Sequence, residues 1–183
     1  GGGIKYVKHD TVVEVVNVNS DFAFGFMKKH IVEFRDIDCA NSGSQFRSRD
    51  FFPEAVAKIM NGDRSVLTKK LDIKSIPEVP PNLVAWTDGF GNIKTTTRKS
   101  HIANFKPGDK VQVILNDVNT IGVMSIGGFQ VDRGVLAISL GSSGQDDPFI
   151  ELFLRVHHMH EKTAAVRFGW PEGGTPFEIK PLK

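Results

Sequence analysis

The sequence lacks the residues and segments on which several protein classes depend. It contains a single cysteine, Cys39, so it can form neither an internal disulfide nor a metal site built from several thiolates. No apolar run reaches the roughly 18 residues that a membrane-spanning helix requires, and no charged-then-apolar signal segment opens the chain. We therefore expect a soluble, cytoplasmic protein that does not insert into a membrane.

An excess of charge of one sign is also missing. The 23 lysines and arginines are nearly balanced by 21 aspartates and glutamates, which leaves a formal charge of +2. The densest basic cluster, 94–99, alternates with threonines as a solvated strand would. This balance argues against nucleic acid as a partner. Glycine, by contrast, is abundant at 18 residues, and it favours turns and β structure over helix bundles.

The first part of the chain has the pattern of an α/β domain. Residues 11–18, TVVEVVNV, predict a β-branched strand buried on both faces of a sheet. Residues 50–62 predict a helix with Asp50 as its N-cap, Pro53 in its first turn and Asn61-Gly62 as its stop signal. The apolar stripe of this helix would consist of Ala55, Val56, Ile59 and Met60.

A proline-rich connector follows. The segment 76–81, IPEVPP, cannot continue a helix, so we place a domain boundary there and predict domains at 1–75 and 76–183. Beyond the connector, short β-type runs alternate with glycine and proline turns, which predicts an all-β antiparallel barrel or sandwich. One helix is expected within 160–168. The predicted strands read LVAWT, NIKTTTR, VQVILND, IGVMSI, GFQV, VLAISL, FIELFLRV and PFEIKPL.

The sharpest local motif is Asp88-Gly89-Phe90-Gly91-Asn92, just after the connector. Two glycines around an aromatic residue let the backbone approach a ligand closely. Phe90 offers a flat surface to a base, and the Asn92 amide can donate and accept at once, as pairing with an adenine edge requires. The alternative is a hairpin turn in which Asp88 and Asn92 only satisfy local backbone groups.

Two further motifs accompany this one. Residues 44–50 read SQFRSRD and precede FFPEAV, and residues 140–144 read LGSSG ahead of a strand and the pair Ala164-Ala165. With Asp88, Phe90, Gly91, Asn92 and Thr95, these segments resemble, in order and spacing, three motifs of the SAM hydrolases (S-adenosyl-L-methionine hydroxide adenosyltransferases). That family is related to the fluorinase and chlorinase, and the chain resembles its C-terminal two-thirds, beginning at a Gly2-Gly3-Ile4 turn.

The resemblance implies displacement at C5′ of SAM by water or hydroxide, which releases L-methionine and adenosine. SAM would be the substrate, no cofactor is expected, and residues 1–75 would be the C-terminal portion of a truncated α/β domain. The family is a homotrimer with ligands at subunit interfaces. The substrate-binding residues implied are Phe46, Asp88, Phe90, Asn92, Ala164 and Ala165, with Ser142 and Ser143 facing the methionine part.

The nucleophile pocket departs from the hydrolase pattern. Arg47 stands at the hydrolase histidine and cannot act as a base, although it could hold an anion. Ser48 matches the fluorinase serine that contacts halide, so Arg47 and Ser48 are the implied catalytic pair. Alternatively, Arg47 pairs with a carboxylate and has no chemical role. An adenosine or SAM binder without turnover, and a halide-using adenosyltransferase, are therefore alternative functions.

Two other features receive structural interpretations. The run His157-His158-Met159-His160 suggests a metal ligand set, but neighbouring histidines on a strand point to opposite faces, so we predict a surface or interface turn and no metal. Trp86 and Trp170 are predicted to be core or interface residues, not platforms for a base.

Overall fold

A computed structural model describes residues 4–10, 14–18, 22, 24–40, 42–156 and 162–182. The chain divides into two compact units, Gly1–Val79 and Pro80–Lys183. This division falls within the proline-rich connector, where the sequence predicts a boundary. Within the described ranges, no helix is both long and apolar enough to cross a membrane.

Unit 1 is built on a four-stranded sheet in which every pair of neighbours is antiparallel. The strands, in the order β2-β1-β3-β4, are β1 (Ile4–His9), β2 (Glu14–Val18), β3 (Ile31–Ile37) and β4 (Leu67–Lys70). The helices are α1 (Arg47–Asp50) and α2 (Phe52–Met60), with short 3-10 helices at Gly25–His30 and Ile73–Ser75.

The doubly buried strand of this unit is β1. Successive side chains of a strand point to opposite faces, and Tyr6 and Val7 belong to two different buried clusters. Tyr6 packs with Ile59 of α2, whereas Val7 packs with Phe34 and Ile76 on the other side. Both faces of the sheet are therefore covered, although the parallel pairing typical of an α/β domain is not shown.

Two predictions for this unit are corrected. The run at 11–18 does contain a strand, but β2 lies at the sheet edge with Glu14 and Asn17 exposed, so it is not buried on both faces; 11–13 lie outside the described residues. The helix is confirmed as α2, ending at Asn61, but its N-cap is Phe51 and Met60 is exposed. Of the predicted apolar stripe, Ala55 and Ile59 are buried and Val56 is half-buried.

Unit 2 is a single seven-stranded sheet in the order β11-β7-β8-β9-β10-β6-β5. Among the described residues of this unit the one α-helix is α3 (Ala164–Arg167), which precedes the last strand, and a 3-10 helix spans Lys99–Ile102. The strands are β5 (Val84–Thr87), β6 (Ile93–Arg98), β7 (Lys110–Leu115), β8 (Val118–Ser125), β9 (Leu136–Leu140), β10 (Phe149–Leu154) and β11 (Phe177–Pro181).

The two ends of this sheet meet, which confirms a barrel-like arrangement. Leu83, beside β5, forms an antiparallel bridge with Pro176, beside β11, and the Phe177 N–H donates to the Asn82 carbonyl oxygen at 2.9 Å. Alternate residues point inward, as in Ile150, Leu152 and Leu154 of β10, all of them buried. They form one continuous core with residues from the other strands and α3.

Seven of the eight predicted strands in 76–183 are present, and the exceptions are local. The segment GFQV is a 3-10 helix at Gly128–Gln130, in which a Cβ on Gly128 would come within 2.6 Å of the Phe153 ring. The β8–β9 pair is parallel, so the sheet is not wholly antiparallel. Of the helix expected in 160–168, residues 160–161 lie outside the described residues, and α3 begins after its N-cap Thr163.

Candidate functional site

The loop between β5 and β6 is a hairpin turn organised by the Asp88 carboxylate. The Asp88 Oδ1 accepts hydrogen bonds from the N–H groups of Phe90 and Asn92, each at 2.9 Å, and its Oδ2 accepts from the Asn92 amide nitrogen at 3.0 Å. Burial favours the neutral acid, but the hydrogen bonds from Asn92 and Phe90 outweigh it and lower the pKa of Asp88. Asp88 therefore stays ionised and shapes the turn.

A second segment, distant in sequence, is bound to this turn at Gly91. The Ala165 N–H donates to the Gly91 carbonyl oxygen at 2.9 Å. Gly91 has φ +77°, and a Cβ on it would lie 2.3 Å from the Thr163 Oγ1. Only glycine combines this backbone conformation with such a close approach. The structure thus brings together the two segments to which the resemblance assigns the adenosyl group, Asp88–Asn92 and Ala164-Ala165.

The joined segments present exposed apolar side chains, which we call the Phe90 surface: Phe90, Val166 and Trp170. Phe90 is 83% exposed and Trp170 is 60% exposed. The backbone N–H of Trp170 donates to the Ala165 carbonyl oxygen at 2.7 Å, which fixes Trp170 beside α3. The sequence predicts Trp86 and Trp170 to be core or interface residues; both are mostly exposed, so neither is a core residue, and a place in an interface stays a prediction. Grouped exposed apolar residues are typical of a binding surface.

A charged group beside the turn was not predicted from the sequence. The Lys94 ammonium lies 3.4 Å from the Asp88 Oδ2 and forms an ion pair with Glu151 of β10. Burial disfavours the charged amine, but the hydrogen bond and charge of Glu151, with the charge of Asp88, outweigh it and raise the pKa of Lys94. The alternation of lysine and arginine with threonine along β6 indicates that Lys94 points outward. Its two partners, Asp88 and Glu151, are apparent only in the fold.

The Ser142 and Ser143 pair lies in the loop that joins β9 to β10. The Ser143 carbonyl oxygen accepts from the Phe149 N–H at 2.9 Å, which closes the loop. A Cβ on the preceding Gly141 would lie 3.8 Å from a Glu151 carboxylate oxygen. The loop therefore begins beside the Glu151–Lys94–Asp88 ion group, which links it to the turn.

The implied catalytic pair, Arg47 and Ser48, lies in the four-residue helix α1 of unit 1, and the implied substrate-binding residue Phe46 is the N-cap of that helix. Phe46 is exposed and is covered on one face by the Arg49 guanidinium, 4.8 Å from the ring centroid. Arg49, not Arg47, pairs with Asp50. Within the part of the chain that is described, Arg47 makes no ion pair with a carboxylate, so the alternative role predicted for it lacks support.

Cys39 is the one thiol, and its surroundings make it a poor nucleophile. Burial raises its pKa, as do the negative charges of Asp38 and Glu54, and these effects exceed the opposing charge of Arg47. We expect iodoacetamide to alkylate Cys39 several-fold more slowly at pH 7 than it alkylates free cysteine. The rate should rise with pH through a midpoint above the ordinary thiol value. A rate equal to that of free cysteine would contradict this assignment.

A cleft of about 550 Å³ lies elsewhere in unit 2 and contains none of the implied site residues. One of its lining residues, Lys99, follows the C-terminal end of β6, whereas Asn92 precedes the N-terminal end of that strand. The wall residues include Ile102, Phe105, Met124, Leu140, Lys106 and Asp147. The histidine run at 157–160 lies outside the described residues.

No protein-family model matches the chain, and neither does any curated protein. The chain is similar in fold to an uncharacterized conserved protein from Thermotoga maritima, with a TM-score of 0.72, 17% identity, and coverage of 98% of this chain and 72% of that one. It is also similar to a conserved hypothetical protein from Thermus thermophilus, with a TM-score of 0.56, 14% identity, and coverage of 98% and 69%. At such identities the likeness shows a shared fold alone.

Proposed function

We propose that the chain belongs to a SAM-cleaving enzyme of the SAM hydrolase type and that unit 2 binds the adenosyl group of SAM at the Phe90 surface. The observation that carries the proposal is the hydrogen bond from Ala165 to Gly91. It joins two segments that are far apart in sequence and that the resemblance independently assigns to the same ligand. A hairpin turn with only a local role would not require this second contact.

The side chains at the turn suit a purine nucleoside. A base stacked on an exposed aromatic ring gains about 1–3 kcal/mol, and Phe90 presents such a ring. The Asn92 amide nitrogen already donates to Asp88, so Asn92 would offer its oxygen to an exocyclic amine. Asp88 would position this amide and would not contact the base, which refines the role implied by the resemblance.

The cleavage step would need little acid catalysis, because methionine leaves a sulfonium as a neutral thioether. It would need a nucleophile held in line with the C5′–S bond and shielded from bulk water. By resemblance, Arg47 and Ser48 would hold that nucleophile, water, hydroxide or halide, in a homotrimer. An arginine stays protonated, so it would attract an anion instead of removing a proton.

The test measures binding and turnover separately. Calorimetry with adenosine and with SAM should show binding, and chromatography should show adenosine released from SAM over hours. Phe90→Ala should weaken adenosine binding by about 5- to 100-fold, as loss of one stacking platform predicts. Asn92→Ala should weaken it about tenfold through loss of a hydrogen bond.

Phe129→Ala is the matched control, because Phe129 is an exposed phenylalanine of the same unit outside the Phe90 surface. It should bind adenosine like the unchanged protein. Equal affinity in Phe90→Ala and Phe129→Ala would refute the adenosyl site. SAM that binds but stays intact would refute the cleavage step and favour the binder without turnover, the function that Arg47 in place of histidine suggests.

A further inference from the structure

Unit 1 contains a cluster of two imidazoles and a carboxylate that the proposed function does not use. The ligand atoms of His9, Asp10 and His30 all lie within 4.8 Å of one another. The His9 Nδ1 is 2.9 Å from the Asp10 Oδ1, and the His30 Nδ1 is 3.0 Å from the Asp10 Oδ2. The two imidazole rings lie with centroids 4.9 Å apart at an angle of 31°.

The fold holds these residues in place from two strand ends. His9 ends β1 and His30 immediately precedes β3, and these strands are antiparallel neighbours, so their ends coincide. The Asp10 N–H donates to the His30 carbonyl oxygen at 2.9 Å, which fixes the backbones together. The register shifts between Lys8 and His9, and such bulges commonly re-aim a side chain towards a functional position.

We propose that His9, Asp10 and His30 form a binding site for a divalent transition-metal ion, with Zn²⁺ as the best match. Imidazole nitrogen and carboxylate oxygen are ligands that Zn²⁺ binds at about 2.0–2.2 Å. Tetrahedral ligands at those bond lengths stand about 3.3 Å apart, close to the 2.9 and 3.0 Å separations from Asp10 to the two imidazoles.

The ligand set also favours this class of ion over Mg²⁺ or Ca²⁺, which prefer oxygen ligands alone. Two neutral imidazoles and one carboxylate would leave at least one coordination position for water. His9 and His30 are half-buried and Asp10 is exposed, so an ion from solvent can reach the cluster. The site rests on unit 1 and is independent of the adenosyl proposal.

The test titrates the full chain with Zn²⁺ in a calorimeter after removal of metal with a chelator. Nearly one Zn²⁺ per chain should bind at this site, and the thermal midpoint should rise with Zn²⁺ concentration, since a ligand that binds only the folded state stabilises it. Asp10→Asn and His30→Ala should each weaken this binding at least about tenfold. Substituting a residue that only hydrogen-bonds to a metal ligand already lowers metal affinity by about that factor. Asp10→Asn keeps the shape of the side chain, and far-ultraviolet dichroism verifies that it folds.

The matched control is His101→Ala, which removes a histidine from unit 2 and should bind Zn²⁺ normally. The run at 157–160 offers three more histidines, so all variants are repeated in a background in which His157, His158 and His160 are alanine. Zn²⁺ binding that persists in this background and disappears with Asp10→Asn supports the site. Binding that survives Asp10→Asn and His30→Ala, or that disappears with the histidine run alone, overturns it.

Discussion

Replacing Gly91 by alanine is expected to lower the free energy of unfolding by about 2–5 kcal/mol and to remove adenosine binding. Three costs add up. A side chain at φ +77° costs about 1–2 kcal/mol, and the new Cβ would overlap the Thr163 side chain, an overpacking cost of about 1–3 kcal/mol. Thr163 also caps α3 by accepting from the Val166 N–H at 3.3 Å, and displacing it would weaken that cap.

Gly89 provides the control within the same five-residue turn. No atom lies within 4 Å of a Cβ on Gly89, and its φ is not in the left-handed region. Gly89→Ala should therefore change stability by no more than about 0.5 kcal/mol. Urea unfolding followed by tryptophan fluorescence suits the comparison, because Trp86 and Trp170 are both in unit 2. Equal stability of the two variants would mean that the turn does not pack on Thr163.

The second large effect is expected from Phe168→Ala, with a loss of about 3–5 kcal/mol of stability. Phe168 is fully buried in the core of unit 2, so its truncation leaves a cavity. A four-residue helix has no stability of its own, which means that α3 is held by the burial of Ala164, Ala165 and Phe168. We therefore expect adenosine affinity to fall as well, because Ala165 loses its fixed position.

Phe168→Leu and Phe90→Ala separate packing from binding. The leucine variant nearly conserves volume and should cost less than about 1.5 kcal/mol. Phe90→Ala, at an 83% exposed position, should leave the urea midpoint unchanged while it weakens adenosine binding. A Phe168→Ala protein as stable as the unchanged one would contradict the described packing of α3. So would a large loss of stability in Phe90→Ala.

The sequence predicts the strands of unit 2 well because turn residues mark their ends. The runs that became β5 and β7 have glycine, proline, asparagine or aspartate on both sides, and those that became β6 and β10 are preceded by Asn92 and Pro148. Strand partners are not encoded in this way, since a period of two is the same in parallel and antiparallel pairs. The parallel β8–β9 pair therefore emerges only from the fold.

The incorrect predictions share one physical cause: each segment packs against residues that are distant along the chain. The valine-rich run at 11–18 is typical of a central strand, yet β2 lies at an edge of the sheet that the described residues form. Segment 128–131 has strand-like residues, but Gly128 packs against the Phe153 ring. The periodicity of apolar residues predicts which face of a segment favours burial. It does not predict which other segments of the chain will pack against that face.

The functional residues likewise fall into those that the sequence predicts and those that only the fold reveals. The Asp88–Asn92 turn was visible in the sequence because aspartate, glycine and asparagine are turn residues with known hydrogen-bonding habits. The sequence alone could not distinguish a ligand-binding turn from a hairpin turn with only a local role. The structure shows that Asp88 does accept hydrogen bonds from local backbone N–H groups. Lys94 with Glu151 and the His9, Asp10 and His30 cluster were missed, since each joins residues from separate strands or strand ends.

The closure of unit 2 by its last strand has a consequence for synthesis. Strand β11 pairs with β7, and its flanking residue Pro176 bridges to Leu83 beside β5. Until residues 174–181 have left the ribosome, the outer edges of β5 and β7 in the nascent chain lack the segments that finally pair with them. Exposed strand edges of this kind recruit other chains. A truncated messenger RNA or a proteolytic cut that ends the chain before Gly174 would leave both edges unpaired, and unpaired strand edges favour aggregation.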